Sequence, residues 1–231
     1  MRLTDRPELA APRSGIRLGS FVYDRLKERL IEGELAPTSR LNVEELAGTF
    51  GASKQPIMEA LRRLAGDGLV VITPQVGCAV ATYGPSDVRD FYHVFAATEA
   101  SIASLAAEHR SAELLDRLAN VSQRIDSLRP RTDPIERGHG YRVLNREFHG
   151  LIHEMARSTV VAEIAARMSD LSDFLINTTG VPQPFSAGLD ARHADHEAIR
   201  AALVAGDANA ARSAMEQHIL STVDVIRGKT H

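Results

Sequence analysis

The stretch Asn42–Leu64, NVEELAGTFGASKQPIMEALRRL, decides the fold of the first part of this chain. Val43, Leu46, Ala47 and Phe50 recur at i, i+3, i+4 and i+7, one face of a helix, and Asn42 with Glu45 three residues on resembles a capping box. Gly51 and Ala52 break the run, and Ser53 is placed to cap a second helix. That helix tolerates Pro56 because a first turn loses no intrahelical N–H bond. Its buried stripe is Ile57, Leu61 and Leu64, which leaves Lys54, Gln55, Met58, Glu59 and Arg62 on the other side. Two short helices around a tight turn, the second exposing polar side chains near its start, form a helix-turn-helix able to read a DNA groove.

Upstream, Phe21, Val22, Leu26, Leu30 and Ile31 predict an amphipathic helix from about Ser20 to Gly33, after an arm over residues 1–15 without periodicity. Residues 35–40 read as a connection. Downstream, Gly66 and Gly68 end the second helix, and Leu69–Thr73 and Cys78–Thr82 read as strands of a hairpin around Pro74-Gln75-Val76-Gly77. Helix, helix-turn-helix and hairpin make a winged helix-turn-helix over residues 16–82.

From Ser86 the pattern is helical almost to the end. Val88, Phe91, Tyr92 and Phe95 share one face, and Leu118, Val121, Ile125 and Leu128 another, before Arg129–Pro134 interrupts. Helices resume at Leu144, Phe148, Leu151, Ile152 and Met155, then at Ile164, Met168, Leu171 and Leu175; residues 177–188 read as a loop. Two last helices, near 189–205 and 207–227, meet at Gly206-Asp207, where Asp207 caps the second. The fold class is therefore mainly α: the winged helix, then an all-α antiparallel bundle of about six helices over residues 83–231.

At 231 residues, two domains are the natural division, and 44% hydrophobic with 25% charged residues excludes a disordered chain. The single cysteine, Cys78, cannot form an intrachain disulfide, and no run approaches the ~18 apolar residues of a membrane span, so a cytoplasmic location and no membrane partner are expected. Lys and Arg number 11 against 10 Asp and Glu in residues 1–82, and 16 against 20 beyond, so bulk charge is no argument for nucleic acid. Local placement is. Ser53, Lys54, Gln55 and Met58 stand at the groove-reading end of the second helix, with Arg40, Arg62, Arg63 and Gln75 around it. Lys54 can contact guanine or phosphate, Gln55 can pair with adenine, and the arginines can hold phosphates of double-stranded operator DNA.

Three of nine histidines sit on apolar helical stripes: His149 four residues after Asn145, His196 in register with Ile199 and Leu203, and His218 in register with Ala211 and Met215. One such histidine is usually a satisfied core residue; three facing inward from three helices suit a transition-metal site within a bundle. His153 and His193 are expected to be exposed. The competing class is a small metal-dependent hydrolytic enzyme built on His149, His196 and His218. No His-Glu-x-x-His, Gly-x-Ser-x-Gly or phosphate-binding glycine loop is present, and Glu147 and Glu154 fall on other sides of their helix, so no general base is placed.

Residues 19–82 resemble the winged-helix domain of GntR-type regulators through Glu45-Leu46-Ala47, then Ala52-Ser53-Lys54-Gln55-Pro56-Ile57-Met58-Glu59-Ala60-Leu61, then Gly68-Leu69-Val70. Lys54 and Met58 stand where the family pattern has arginine, which implies an altered operator with fewer guanine contacts. Residues 86–228 resemble the FCD effector domain of the FadR branch. Its metal-binding members use Asp-x-x-x-His on one helix and a His on each of the last two; the matching segments here are Asn145–His149, Asp195–Ile199 and Glu216–Ile219. The resemblance implies a Zn²⁺, Ni²⁺ or Mn²⁺ site at Asn145, His149, His196 and His218, weakened because Asn145 brings an uncharged oxygen. It also implies an effector pocket at Tyr92, Phe95, Glu99 and Arg142, where Phe95 replaces a common acid-binding arginine. The expected protein is a homodimeric regulator, by family habit a repressor, whose DNA affinity follows a small carboxylate or more apolar metabolite.

Overall fold

The computed structural model describes residues 15–178 and 184–227; the expected arm, residues 1–15, lies outside them apart from Gly15. The described chain contains α1 (Gly15–Ile31), β1 (Arg40–Leu41), α2 (Val43–Phe50), α3 (Lys54–Gly66), β2 (Val70–Thr73), β3 (Gly77–Val80), α4 (Pro85–His109), α5 (Ala112–Asp126), α6 (Pro134–Met155), α7 (Thr159–Thr178), α8 (Pro184–Ala187), α9 (Leu189–Ala205) and α10 (Ala208–Ile226). It falls into two compact units. The first ends at Tyr83 and takes in Asp173–Thr178; the second comprises Gly84–Ser172 and the residues from 184 on.

In the first unit the predicted stripes form the core: Val22, Leu26, Leu30, Leu46, Phe50, Ile57, Leu61 and Leu64 are all buried. α1 begins before the expected Ser20, at Gly15. Asn42 caps α2 as predicted, its Oδ1 accepting from the backbone N–H of Glu44 (2.8 Å) and Glu45 (3.4 Å), and Gly51 takes the left-handed conformation that ends it. Ser53 occupies the N-cap of α3 with extended backbone, but its side chain makes no capping bond, contrary to expectation. The hairpin pairs β2 and β3 antiparallel in the register Val70↔Val80 and Ile72↔Cys78. A third strand, β1, starts at the last residue of the stretch read as a connection and pairs with the other edge of β3, Arg40↔Ala79. Two residues show no period of their own; β1 exists because β3 has a free edge to pair with.

The second unit is the predicted helical bundle, with seven helices among the described residues because the expected loop contains the one-turn α8. α4 lies along α10 over much of its length, and both helices bury small residues, Ala96, Ala100, Ala103 and Ala107 on α4 and Ala211 on α10. Small side chains let helix axes approach closely. α9 ends at Gly206 (φ 70°), and Asp207 caps α10, its Oδ1 accepting from Asn209 N (3.1 Å) and Ala210 N (2.9 Å). A Cβ at Gly206 would lie 2.3 Å from Arg110 Cζ. Gly206→Ala is therefore expected to cost roughly 1–2 kcal/mol from the left-handed backbone, more if Arg110 cannot move. Urea denaturation checks this, and an unchanged midpoint would show that the α9–α10 joint relaxes freely.

Candidate functional site

α3 presents two rows of side chains. Lys54, Met58 and Arg62 follow one another at i, i+4 and i+8; Gln55, Glu59 and Arg63 form the neighbouring row. The second row bends onto α1 at its far end. The Arg63 guanidinium stacks 3.8 Å over the Tyr23 ring, and Arg63 Nη1 donates to Ser20 Oγ at 3.3 Å. The exposed Lys54 donates to Glu44 Oε1 on α2 at 2.6 Å, which holds the Glu44 carboxyl below its usual range. Ser53, Gln55 and Arg62 are exposed and Met58 half-buried. Arg40 is exposed on β1, and Gln75 sits at the exposed hairpin tip with φ 62°. The α3 N-terminus, with no side chain bonded to its leading N–H groups, is the outward-facing feature suited to an anionic phosphate.

In the second unit the three predicted histidines converge. His149 from α6, His196 from α9 and His218 from α10 are buried, with ligand-capable nitrogens all within 4.8 Å of one another. The His196 ring stacks on Phe148 at 4.1 Å with planes 7° apart, and Tyr141 lies on it at 5.9 Å, so two aromatic rings fix its orientation. His196 Nε2 and His218 Nε2 are 3.2 Å apart. Burial, reinforced for His196 by His149 and Arg192 and for His218 by Arg192 and His196, keeps both imidazoles well below their ordinary pKa, hence neutral with lone pairs available.

Hydrogen bonds assign the tautomers. Glu99 on α4 is fully buried, and its oxygens face His149 Nδ1 (2.9 Å) and His153 Nε2 (2.8 Å). Burial alone would raise the Glu99 carboxyl; bonds from the two imidazoles outweigh it and hold it at about 2. An ionised carboxylate only accepts, so Nδ1 of His149 carries a proton, and Nε2 is the nitrogen left to act as a ligand. His218 Nδ1 faces Asp195 Oδ2 at 3.3 Å, while Arg192 Nη2 donates to His218 Nε2 at 3.2 Å; a guanidinium cannot accept, so that Nε2 also bears a lone pair. His196 Nδ1 is buried without a hydrogen-bond partner.

This donor set fits a transition-metal ion. Two imidazole nitrogens each about 2.0–2.1 Å from one ion stand roughly 2.9–3.4 Å apart for bond angles between square and tetrahedral. The observed 3.2 Å between His196 and His218 lies in that interval. Carboxylate, imidazole and metal position also follow the order by which a second carboxylate orients a ligating histidine. Asn145 stands one turn before His149, and its Oδ1 accepts from Tyr141 Oη at 3.1 Å, which leaves one lone pair. Glu147 and Glu154 face away, paired with Arg124 and Arg117.

Other expectations are redistributed. His153 is buried on Glu99, and His193 is half-buried with Nε2 3.6 Å from Asp126 Oδ1; neither is exposed. Glu99, expected as pocket lining, supports the histidines. Tyr92 bonds Ser172 Oγ at 2.9 Å, and Phe95 stacks on Phe91 with centroids 5.6 Å apart, both buried. Arg142 is half-buried on α6. Sequence reasoning missed Arg192, although its place four residues before His196 puts both on one helical face.

The GntR family of bacterial regulatory proteins matches residues 18–80, and the FCD domain matches residues 90–221, more than half of the chain. The chain belongs to the GntR family. An HTH-type transcriptional regulator of an unstable DNA locus in Streptomyces ambofaciens is 30% identical over 210 residues, 89% of this chain and 83% of that one. The HTH-type transcriptional repressor GlaR of Escherichia coli (strain K12) is 25% identical over 215 residues, 89% and 94% of the two chains. The structure of E. coli McbR/YncC, 20% identical, covers 91% of this chain and 97% of its own with a TM-score of 0.75, and so shares the fold. This GntR/FCD protein is a transcriptional regulator of a family that binds DNA operators, and not an enzyme. Among the described residues no helix is long and apolar enough to cross a membrane.

Proposed function

We propose that this GntR/FCD regulator is controlled by a small metabolite, of carboxylate class, bound at a divalent-metal centre formed by His149, His196 and His218. The observation that carries the reading is the convergence of three buried imidazoles, two held neutral, within one effector domain. Neutral imidazole suits Zn²⁺ or Ni²⁺ directly, and Asn145 adds an oxygen at the adjacent turn. The ion would supply a Lewis-acid point for an effector oxygen. The residues of the chain bind and orient it: Glu99 sets the His149 tautomer, and Phe148 and Tyr141 clamp His196.

The regulator acts as a homodimer, setting two α3 helices about one helical turn of DNA apart. Effector changes operator affinity only as far as it prefers one arrangement of the dimer, and release from DNA, hence repression, is the expected sense. Gel shifts on the chain's own upstream DNA, with metal-loaded and chelator-stripped protein and a panel of carboxylates, test this. Operator affinity indifferent to metal and to every carboxylate would refute it.

Lys54, Gln55, Met58 and Arg62 form the DNA-reading set with Ser53, while Arg40 and Gln75 contact the flank. Met58 brings no N–H donor to the groove, so the selected operator should be poorer in guanine contacts than the family pattern. Gln55→Ala is expected to weaken operator binding by about 1–3 kcal/mol and relax one base position, while Arg62→Ala weakens all sequences alike and lowers the salt slope by about one. Arg63→Ala, whose side chain is engaged on Tyr23, should change affinity less than Arg62→Ala. Binding to sequences selected from a random pool at several salt concentrations decides between these outcomes.

A further inference from the structure

Arg192 stands on α9 one turn before His196, and only 4% of it is exposed. Its Nη1 donates to the His218 carbonyl (2.9 Å) and to Ser221 Oγ (2.8 Å), its Nη2 donates to His218 Nε2 (3.2 Å), and its Nε is buried without a partner. Among the described residues no carboxylate lies within ion-pair distance of it. A guanidinium stays charged in any protein setting, and the carboxylate that acts on it, Asp195 on the same helix, does so through space rather than in a direct ion pair. Its direct hydrogen-bond partners are neutral acceptors, and one of them is a lone pair of the histidine centre.

We propose that Arg192 is a resident cation that competes with a divalent metal ion for the His149–His196–His218 centre, so that metal loading must displace its guanidinium from His218 Nε2. This rests on the metal-centre reading above. An imidazole nitrogen has a single in-plane lone pair, which cannot serve a guanidinium N–H and a metal ion together. The displaced positive charge also remains close to the ion, which weakens metal binding further. Arg192 therefore sets the affinity of the centre. In metal-free protein it shares that lone pair with His196 Nε2, 3.2 Å away.

The test is competition for Zn²⁺ between a chromophoric chelator and the chelator-stripped full chain, comparing wild type with Arg192→Met, Arg192→Gln and His196→Ala, each checked for helicity by circular dichroism. Arg192→Met and Arg192→Gln are expected to bind Zn²⁺ about ten-fold or more tightly than wild type. Equal or weaker binding by folded variants overturns the proposal. Should neither variant fold, a structure of Zn²⁺-loaded wild type decides: Arg192 Nη2 moved off His218 Nε2 supports it, and an ion bound with that hydrogen bond intact overturns it. If His196→Ala binds Zn²⁺ as wild type does, the centre itself is wrong, and the proposal falls with it; if His196→Ala abolishes binding while the Arg192 variants match wild type, only the competition fails.

Discussion

Replacing His218 with alanine is expected to lower Zn²⁺ affinity by more than about 100-fold, since even the partners of metal ligands cost roughly 10–100-fold when removed. His218 is fully buried and shares its metal-facing nitrogen with both His196 and Arg192, so the loss removes a ligand from the middle of the group. Metal content by elemental analysis, together with chelator competition, measures it. The same substitution opens a cavity among α6, α9 and α10, so melting should be compared in metal-free protein as well. A ligand loses its advantage when the metal is stripped, and a core residue does not. Full retention of zinc by folded His218→Ala, or by folded His149→Ala, would remove the centre from this regulator.

Glu99 is the second residue whose loss should be felt strongly. Its carboxylate accepts from two buried imidazoles, at His149 Nδ1 and His153 Nε2, and it is itself entirely buried. Glu99→Ala leaves both N–H groups facing a cavity and is expected to cost about 3–5 kcal/mol of stability, as when one partner of a buried ionic group is removed. Glu99→Gln is gentler on packing. Its amide oxygen can accept from one imidazole, but its NH₂ then meets the other, so His149 is no longer held with its proton on Nδ1. Zn²⁺ affinity should fall about 10–100-fold while the fold persists. Urea denaturation of the metal-free protein separates the two effects, and unchanged metal affinity in Glu99→Gln would show that the tautomer of His149 is not fixed from α4.

The family and most of the helical skeleton were legible in the sequence. Asn42, Gly51 and Asp207 act within a turn of themselves, so capping and termination follow from residue type at short range. The stripes Leu46–Phe50 and Ile57–Leu64 are set by helical period, which is equally local. That three histidines face inward follows from the same rule. Ser53 marks where this reading stops: the residue type suits a cap, yet the exposed side chain makes no capping bond.

What only the tertiary structure decided is which inward side chains meet. Glu99 lies 50 residues from His149 and 54 from His153, and no periodicity relates α4 to α6. His153 looked exposed because helical spacing gives an angle about one axis, whereas burial depends on how many neighbours surround that axis. Arg192 follows the same logic: its register with His196 was visible in the sequence, but its grip on the lone pair of His218 depends on the crossing of α9 and α10. The sequence by itself determined a winged helix, a helical bundle and three inward histidines, because those follow from local spacing. The packing of helices distant along the chain decided that a buried glutamate orients one histidine and a buried arginine occupies another.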